Sequence, residues 1–147
     1  MQPICDIKSL HIELTDKCQA QCPMCARNYH GGATRPFIRN GDISIDQFKE
    51  WFPREFLAQL TNFYSCGNYG DPAFATDCLE IYTYVRECNP TTRLALHTNG
   101  GMRNPDWWTK LAHAIGTQSN SEVVFAVDGF KGKHELYRKN TKFDKVI

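Results

Sequence analysis

Ser9-Leu-His-Ile-Glu-Leu-Thr-Asp-Lys-Cys18-Gln-Ala-Gln-Cys22-Pro-Met-Cys25 joins a short alternating run to a loop with three cysteines. Leu10, Ile12 and Leu14 recur at every second position, so residues 9–14 are expected to form a strand. The Cys18-x3-Cys22-x2-Cys25 spacing lets thiolates share one centre, and soft sulfur donors select zinc or iron–sulfur clusters. A closed structural zinc site takes four ligands, and a ferredoxin-type cubane takes a cysteine for each iron. This loop supplies three. A cubane held that way keeps one iron for a ligand that is not protein, which describes a reactive site rather than a wire.

The same strand-then-loop grammar repeats down the chain. Residues 15–42 are rich in Gly, Asn, Pro and Cys without periodicity, and a loop of that length in a compact domain is usually functional. Ser44 with Gln47 three residues on resembles a capping box opening a helix through Phe48, Trp51 and Phe52; Pro53 restarts or ends it. Residues 62–66 read as a second strand followed by the turn Gly67-Asn-Tyr-Gly-Asp-Pro72. Cys78, Ile81, Tyr82 and Val85 have helical spacing, and Asn89-Pro90 stops that helix. A third strand at residues 93–97 leads into Thr98-Asn-Gly-Gly101. Asn104-Pro105 then starts a helix that ends at Gly116. Residues 122–127 are near-continuously apolar, as buried parallel strands are, and residues 134–147 read as the start of a fourth helix. Four successive βα units predict an α/β fold with a parallel sheet and right-handed crossovers. In such folds the C-terminal strand ends form the active face, where all four unusual segments would meet.

Composition bounds the function. With 147 residues, 41% of them hydrophobic and 22% charged, the chain reads as one ordinary globular domain. A formal net charge of +1 argues against a dedicated nucleic-acid binder, and the basic residues between Lys131 and Lys145 are interrupted by Glu135 and Asp144. No stretch approaches the roughly 20 apolar residues of a membrane span, and the start is not a signal peptide. Seven cysteines without a secretory signal fit a reducing compartment, so a cytoplasmic location is expected.

The triad by itself leaves alternatives. A zinc loop would draw a fourth ligand from His30, Cys66 or His11, and Cys22 with Cys25 would serve as a redox pair. The wider pattern resembles a family. Cys-x3-Cys-x2-Cys after the first strand of a βα array is similar to the signature of the radical S-adenosylmethionine (radical SAM) enzymes. Tyr69-Gly70-Asp71-Pro72 resembles that family's Gly-Gly-Glu-Pro segment, which holds the amino group of SAM, with Asp in place of Glu. Thr98-Asn99-Gly100, Val127-Asp128-Gly129, and residues 134–147 with Tyr137-Arg138 and Phe143 resemble segments of members that carry SPASM or twitch extensions. Met24 stands where an aromatic residue is frequent, as a soft apolar side chain able to pack over a cluster.

The resemblance implies a partial parallel (β/α) barrel of about four βα units, a truncated relative of the radical SAM partial TIM barrel. It implies one core-like domain over residues 1–147, with the later barrel strands missing. Cys18, Cys22 and Cys25 would hold a [4Fe-4S] cluster, and SAM would bind its open iron. Gly67, Asn68, Tyr69, Gly70, Asp71, Pro72, Asn99 and Asp128 are the cofactor-binding candidates, Asp71 for the cationic amine. The implied activity is reductive cleavage of SAM to methionine and a 5′-deoxyadenosyl radical that abstracts a substrate hydrogen, with a peptide among the substrate classes. The implied partners are an external one-electron donor and either a second copy or a completing chain. The rival class is a non-catalytic metal- or Fe–S-binding domain acting as a partner subunit. His97, Cys66, Cys78, Cys88 and the tryptophans Trp51, Trp107 and Trp108 are expected to be packing residues, and Arg27, Tyr29, His30 and Arg35 solvated loop residues. Cys5 carries no assigned role.

Overall fold

In a computed structural model, residues 6–116 and 121–147 are described; Cys5 lies outside them. The elements are β1 (Ser9–His11), α1 (Ile45–Trp51), α2 (Arg54–Ala58), β2 (Asn62–Ser65), α3 (Cys78–Cys88), β3 (Arg93–Thr98), α4 (Pro105–Ile115), β4 (Glu122–Phe125), α5 (His134–Tyr137) and α6 (Phe143–Val146). The strands form one parallel sheet in the order β1-β2-β3-β4. This is the mixed α/β architecture of a partial βα barrel.

Local chemistry explains the helix boundaries. The Ser44 hydroxyl accepts from the Gln47 N–H while the Gln47 side chain accepts from the Ser44 N–H, closing the capping box on α1. Pro53 precedes α2. The Asn104 side chain accepts from the Trp107 N–H, Pro105 occupies the first turn of α4, and Gly116 ends it at φ 66°. Arg86 on α3 reaches across to the carbonyls of Ala114 and Ile115, satisfying acceptors that the end of α4 leaves orphaned.

The helices bury one face of the sheet. Leu10 and Val123 flank Phe63, Leu94 and Leu96 in a core shared with Phe48, Leu57, Ile81, Tyr82, Val85 and Leu111. The Tyr82 hydroxyl donates to the Ala95 carbonyl at 2.6 Å, so its burial leaves no unpaired donor. Truncating Phe63, fully enclosed at 0% exposure, would cost about 3–5 kcal/mol.

Three expectations change. β4 is not a buried strand: Val124, Phe125 and Val127 are each more than a third exposed, because β4 pairs with β3 alone and forms the sheet edge. Residues 134–147 are two short helices rather than one, broken where Asn140 takes φ 65° and the Thr141 N–H turns back to the Arg138 carbonyl. Trp51 is half exposed, whereas Trp107 and Trp108 pack edge to face at 4.8 Å and Trp108 reaches Phe125.

Candidate functional site

The segments following the four strands meet around one cavity of about 290 Å³. The loop after β1 contributes Cys18, Cys22, Cys25 and Arg27; the turn after β2 contributes Cys66, Gly67, Asn68, Tyr69, Gly70 and Asp71. β3 and its end add His97, Thr98 and Asn99. β4 and the following segment add Val124, Ala126, Tyr137 and Arg138.

The cysteine loop is held by hydrogen bonds from its own base. The Asp16 carboxylate accepts from the N–H groups of Arg39 at 2.7 Å and Gly41 at 2.6 Å. Asp42 accepts from the Thr15 hydroxyl at 2.6 Å, Lys17 Nζ at 2.8 Å and the Thr76 hydroxyl at 2.8 Å. Burial works against charge at Asp42, but these hydrogen bonds and the Lys17 cation hold its carboxyl below the ordinary 3.8. Arg27 is a correction to its reading as a solvated residue. It is only 6% exposed and donates to the carbonyls of Asp16 and Tyr69 and to Asn40 Oδ1. A guanidinium offers five donors in a rigid fork, which suits a place where loop carbonyls converge without a ladder. Met24 in the same loop is 79% exposed.

The turn after β2 depends on its glycines. A Cβ on Gly67 would lie 1.7 Å from the Gly70 carbonyl oxygen, and one on Gly70 would lie 2.0 Å from that of Thr15. Glu13 accepts from Asn68 Nδ2 at 2.6 Å and the Tyr69 N–H at 3.1 Å, fixing the outer rim. Asp71 is buried, and its two oxygens accept from Thr98 Oγ1, the Asn99 N–H and the Ala73 N–H. Burial pushes this carboxyl up, and those hydrogen bonds oppose the shift. Its first task is therefore to fasten two loops together. Pro72 opens the short turn Pro72–Phe74 and does not line the cavity.

Asn99 faces the cysteine loop. Its Nδ2 lies 3.5 Å from Cys18 Sγ, while its Oδ1 accepts from Gln19 Nε2 at 2.6 Å and the Gly101 N–H at 2.8 Å. Cys18 also receives a backbone hydrogen bond from Ala20; burial and the nearby Asp71 charge push its thiol up to about 12. Asp128 does not line the cavity. Its carboxylate is ion-paired with Nε of Arg138, which itself lines the wall. Behind that pair the buried His134 accepts from the Asp128 N–H through Nδ1 and contacts the Thr141 hydroxyl through Nε2. Sequence reasoning did not single out Arg138 as a site residue; an Asp and an Arg ten positions apart carry no local signal.

His97 and Cys66 line the cavity rather than only packing the sheet. Cys78 is enclosed in the core and Cys88 lies on the far end of α3. Among the described residues, no three His, Cys, Asp or Glu side chains converge on a position for a single metal ion. A cluster asks for less convergence, since each cysteine binds its own iron. Cys18, Cys22 and Cys25 share the cavity with Cys66 and a tight glycine turn, and that sulfur-rich lining fits such donor chemistry.

Fold and site together define a parallel α/β partial barrel with a cysteine-lined cavity at its strand ends. The fold is similar to that of BtrN, solved in complex with AdoMet and 2-DOIA, with a TM-score of 0.63 and 17% identity over 95% of this chain and 54% of BtrN. It is also similar to Streptococcus suis SuiB, solved bound to the precursor peptide SuiA, with a TM-score of 0.61 and 14% identity over 93% of this chain and 28% of SuiB. The chain thus spans about half of one neighbour and under a third of the other. No family model matches the sequence, and no curated protein matches it. No helix among the described residues is long and apolar enough to cross a membrane.

Proposed function

We propose that the 147-residue chain is the core domain of a radical SAM enzyme, with Cys18, Cys22 and Cys25 holding a [4Fe-4S] cluster and SAM bound beside it in the cavity. The observation that carries this reading is the meeting of the cysteine loop with the ends of β2, β3 and β4 around one space. The BtrN complex with AdoMet supports SAM as a ligand of this fold. When bound, the cluster supplies the single electron that breaks a sulfonium carbon–sulfur bond of SAM, chemistry that belongs to the cofactors.

The chain's own residues place and enclose the ligand. The 67–70 turn lines the cavity, and its backbone would come close to the SAM amine because no side chain stands on Gly67 or Gly70. Asp71 adds negative charge behind them while locked to Thr98 and Asn99. Arg138, held by Asp128, offers N–H donors to a carboxylate. Val124, Ala126 and Tyr137 give the cavity an apolar wall. The SuiB complex with a precursor peptide makes a peptide the first substrate class to try.

The test is anaerobic reconstitution with iron and sulfide, followed by SAM and a one-electron reductant. A cubane spectrum and release of 5′-deoxyadenosine are expected. Zinc bound stoichiometrically, with no cubane formed, would instead assign the chain to the metal-binding modules.

A further inference from the structure

We infer that Asn99 is a positioning residue for the cluster ligand Cys18, donating its side-chain N–H to the sulfur and raising the reduction potential of the cluster held there. The inference rests on the proposed cluster site and assigns Asn99 a task other than contact with SAM.

Nitrogen and oxygen of an Asn side chain are told apart by their partners. Two donors, Gln19 Nε2 at 2.6 Å and the Gly101 N–H at 2.8 Å, point at the same end of Asn99, so that end is the oxygen. The other end, 3.5 Å from Cys18 Sγ, is then the NH2 group, at an ordinary distance for a donor to a large sulfur atom. The residue is 3% exposed, and its backbone N–H is fixed on Asp71 at 2.7 Å. Asn99 thus has no freedom to rotate toward a ligand in the cavity.

The consequence is electrostatic. A donor aimed at a thiolate ligand stabilises the negative charge on sulfur, and hydrogen bonds to the sulfurs are among the determinants of iron–sulfur potentials. The added electron makes the cluster more negative, so a buried donor favours the reduced form. Gln19 gives the arrangement a second layer: it lies in the cysteine loop, one residue after Cys18, and braces an amide that comes from the end of β3. The ligand loop and the β3 end are thereby set in register with the sulfur.

The test compares reconstituted wild type with Asn99→Leu, which is close in size and loses the donor without adding a charge. The readout is the midpoint potential from a redox titration followed by electron paramagnetic resonance. We expect the variant's reduction equilibrium to fall by about tenfold, which is about 59 mV more negative for one electron. An Asn99→Leu cluster at the wild-type potential overturns the inference. Where Asn99→Leu does not load iron, Gln19→Leu decides: it leaves Asn99 in place but frees one side of its oxygen. A smaller shift in the same direction supports the inference, and an unchanged potential overturns it. A wild-type chain that forms no cubane is a different outcome and refutes the proposed function itself, and the inference with it.

Discussion

The Thr98 hydroxyl donates to the Asp71 carboxylate at 2.7 Å, fastening the turn after β2 to the end of β3. With the Asn99 and Ala73 N–H groups, it directs three donors at two buried oxygens. Asp71→Asn replaces one acceptor by a donor that faces one of these groups. The expected loss is about 1–3 kcal/mol, or roughly 3–10 °C in Tm for a domain of this size. Thermal melts followed by circular dichroism check it, and an unchanged Tm would show that the carboxylate is not the fastener.

Gly70→Ala should collapse the turn, because the new Cβ would sit 2.0 Å from the Thr15 carbonyl, a backbone atom with nowhere to move. Gly41→Ala is the matched control, since a Cβ there meets nothing within 4 Å. Protease sensitivity of the 67–71 turn should rise in the first variant and stay at the wild-type level in the second.

The Asp42 network should give the cysteine loop an acid-sensitive base. Because the folded carboxyl lies below its ordinary value of 3.8, its contribution is fully present above that value and is lost as pH falls through the folded one. Asp42→Asn should therefore be less stable than wild type at neutral pH, with the gap narrowing below about 3.8. Denaturant midpoints measured across that range test the sign; a gap that widens on acidification would reverse it.

Much of this fold can be read from local chemistry. The capping box at Ser44 and Gln47, the Asn104-Pro105 start and the Gly116 stop act within four residues, so spacing reveals them. The βα alternation follows from the same punctuation. What could not be read depends on distant partners. Arg27 is buried because the carbonyls of Asp16 and Tyr69 come to it, and Tyr69 is 42 positions away. Val124 and Phe125 of β4 look buried in sequence but are exposed, since burial there depends on what pairs beyond the sheet edge. The 134–147 stretch has helical composition, yet His134 and Thr141 bind each other across the break and favour a turn. At the site, the triad and the glycine turn stand out as motifs. The Asp128–Arg138 pair and the Asn99–Cys18 contact emerge only when separate strand ends meet.

Arg138→Ala should weaken SAM binding to the reconstituted chain about 10–100-fold, the equivalent of roughly 1.5–3 kcal/mol for a charge-assisted contact. Asp128→Asn should weaken it less, since that carboxylate orients the guanidinium without lining the cavity. Equilibrium dialysis with labelled SAM gives both numbers, and equal losses in the two variants would count against direct contact by Arg138.

In the proposed function, Cys18, Cys22 and Cys25 hold a cubane with one iron left for SAM. Mössbauer spectroscopy of the anaerobically reconstituted chain, with and without SAM, examines that iron itself. The expected result is a [4Fe-4S] cluster with one iron site whose signal changes on adding SAM, formed in Cys66→Ala and lost in Cys18→Ala, Cys22→Ala and Cys25→Ala. A cluster whose irons are all unaffected by SAM, or one that persists without the triad, would contradict it.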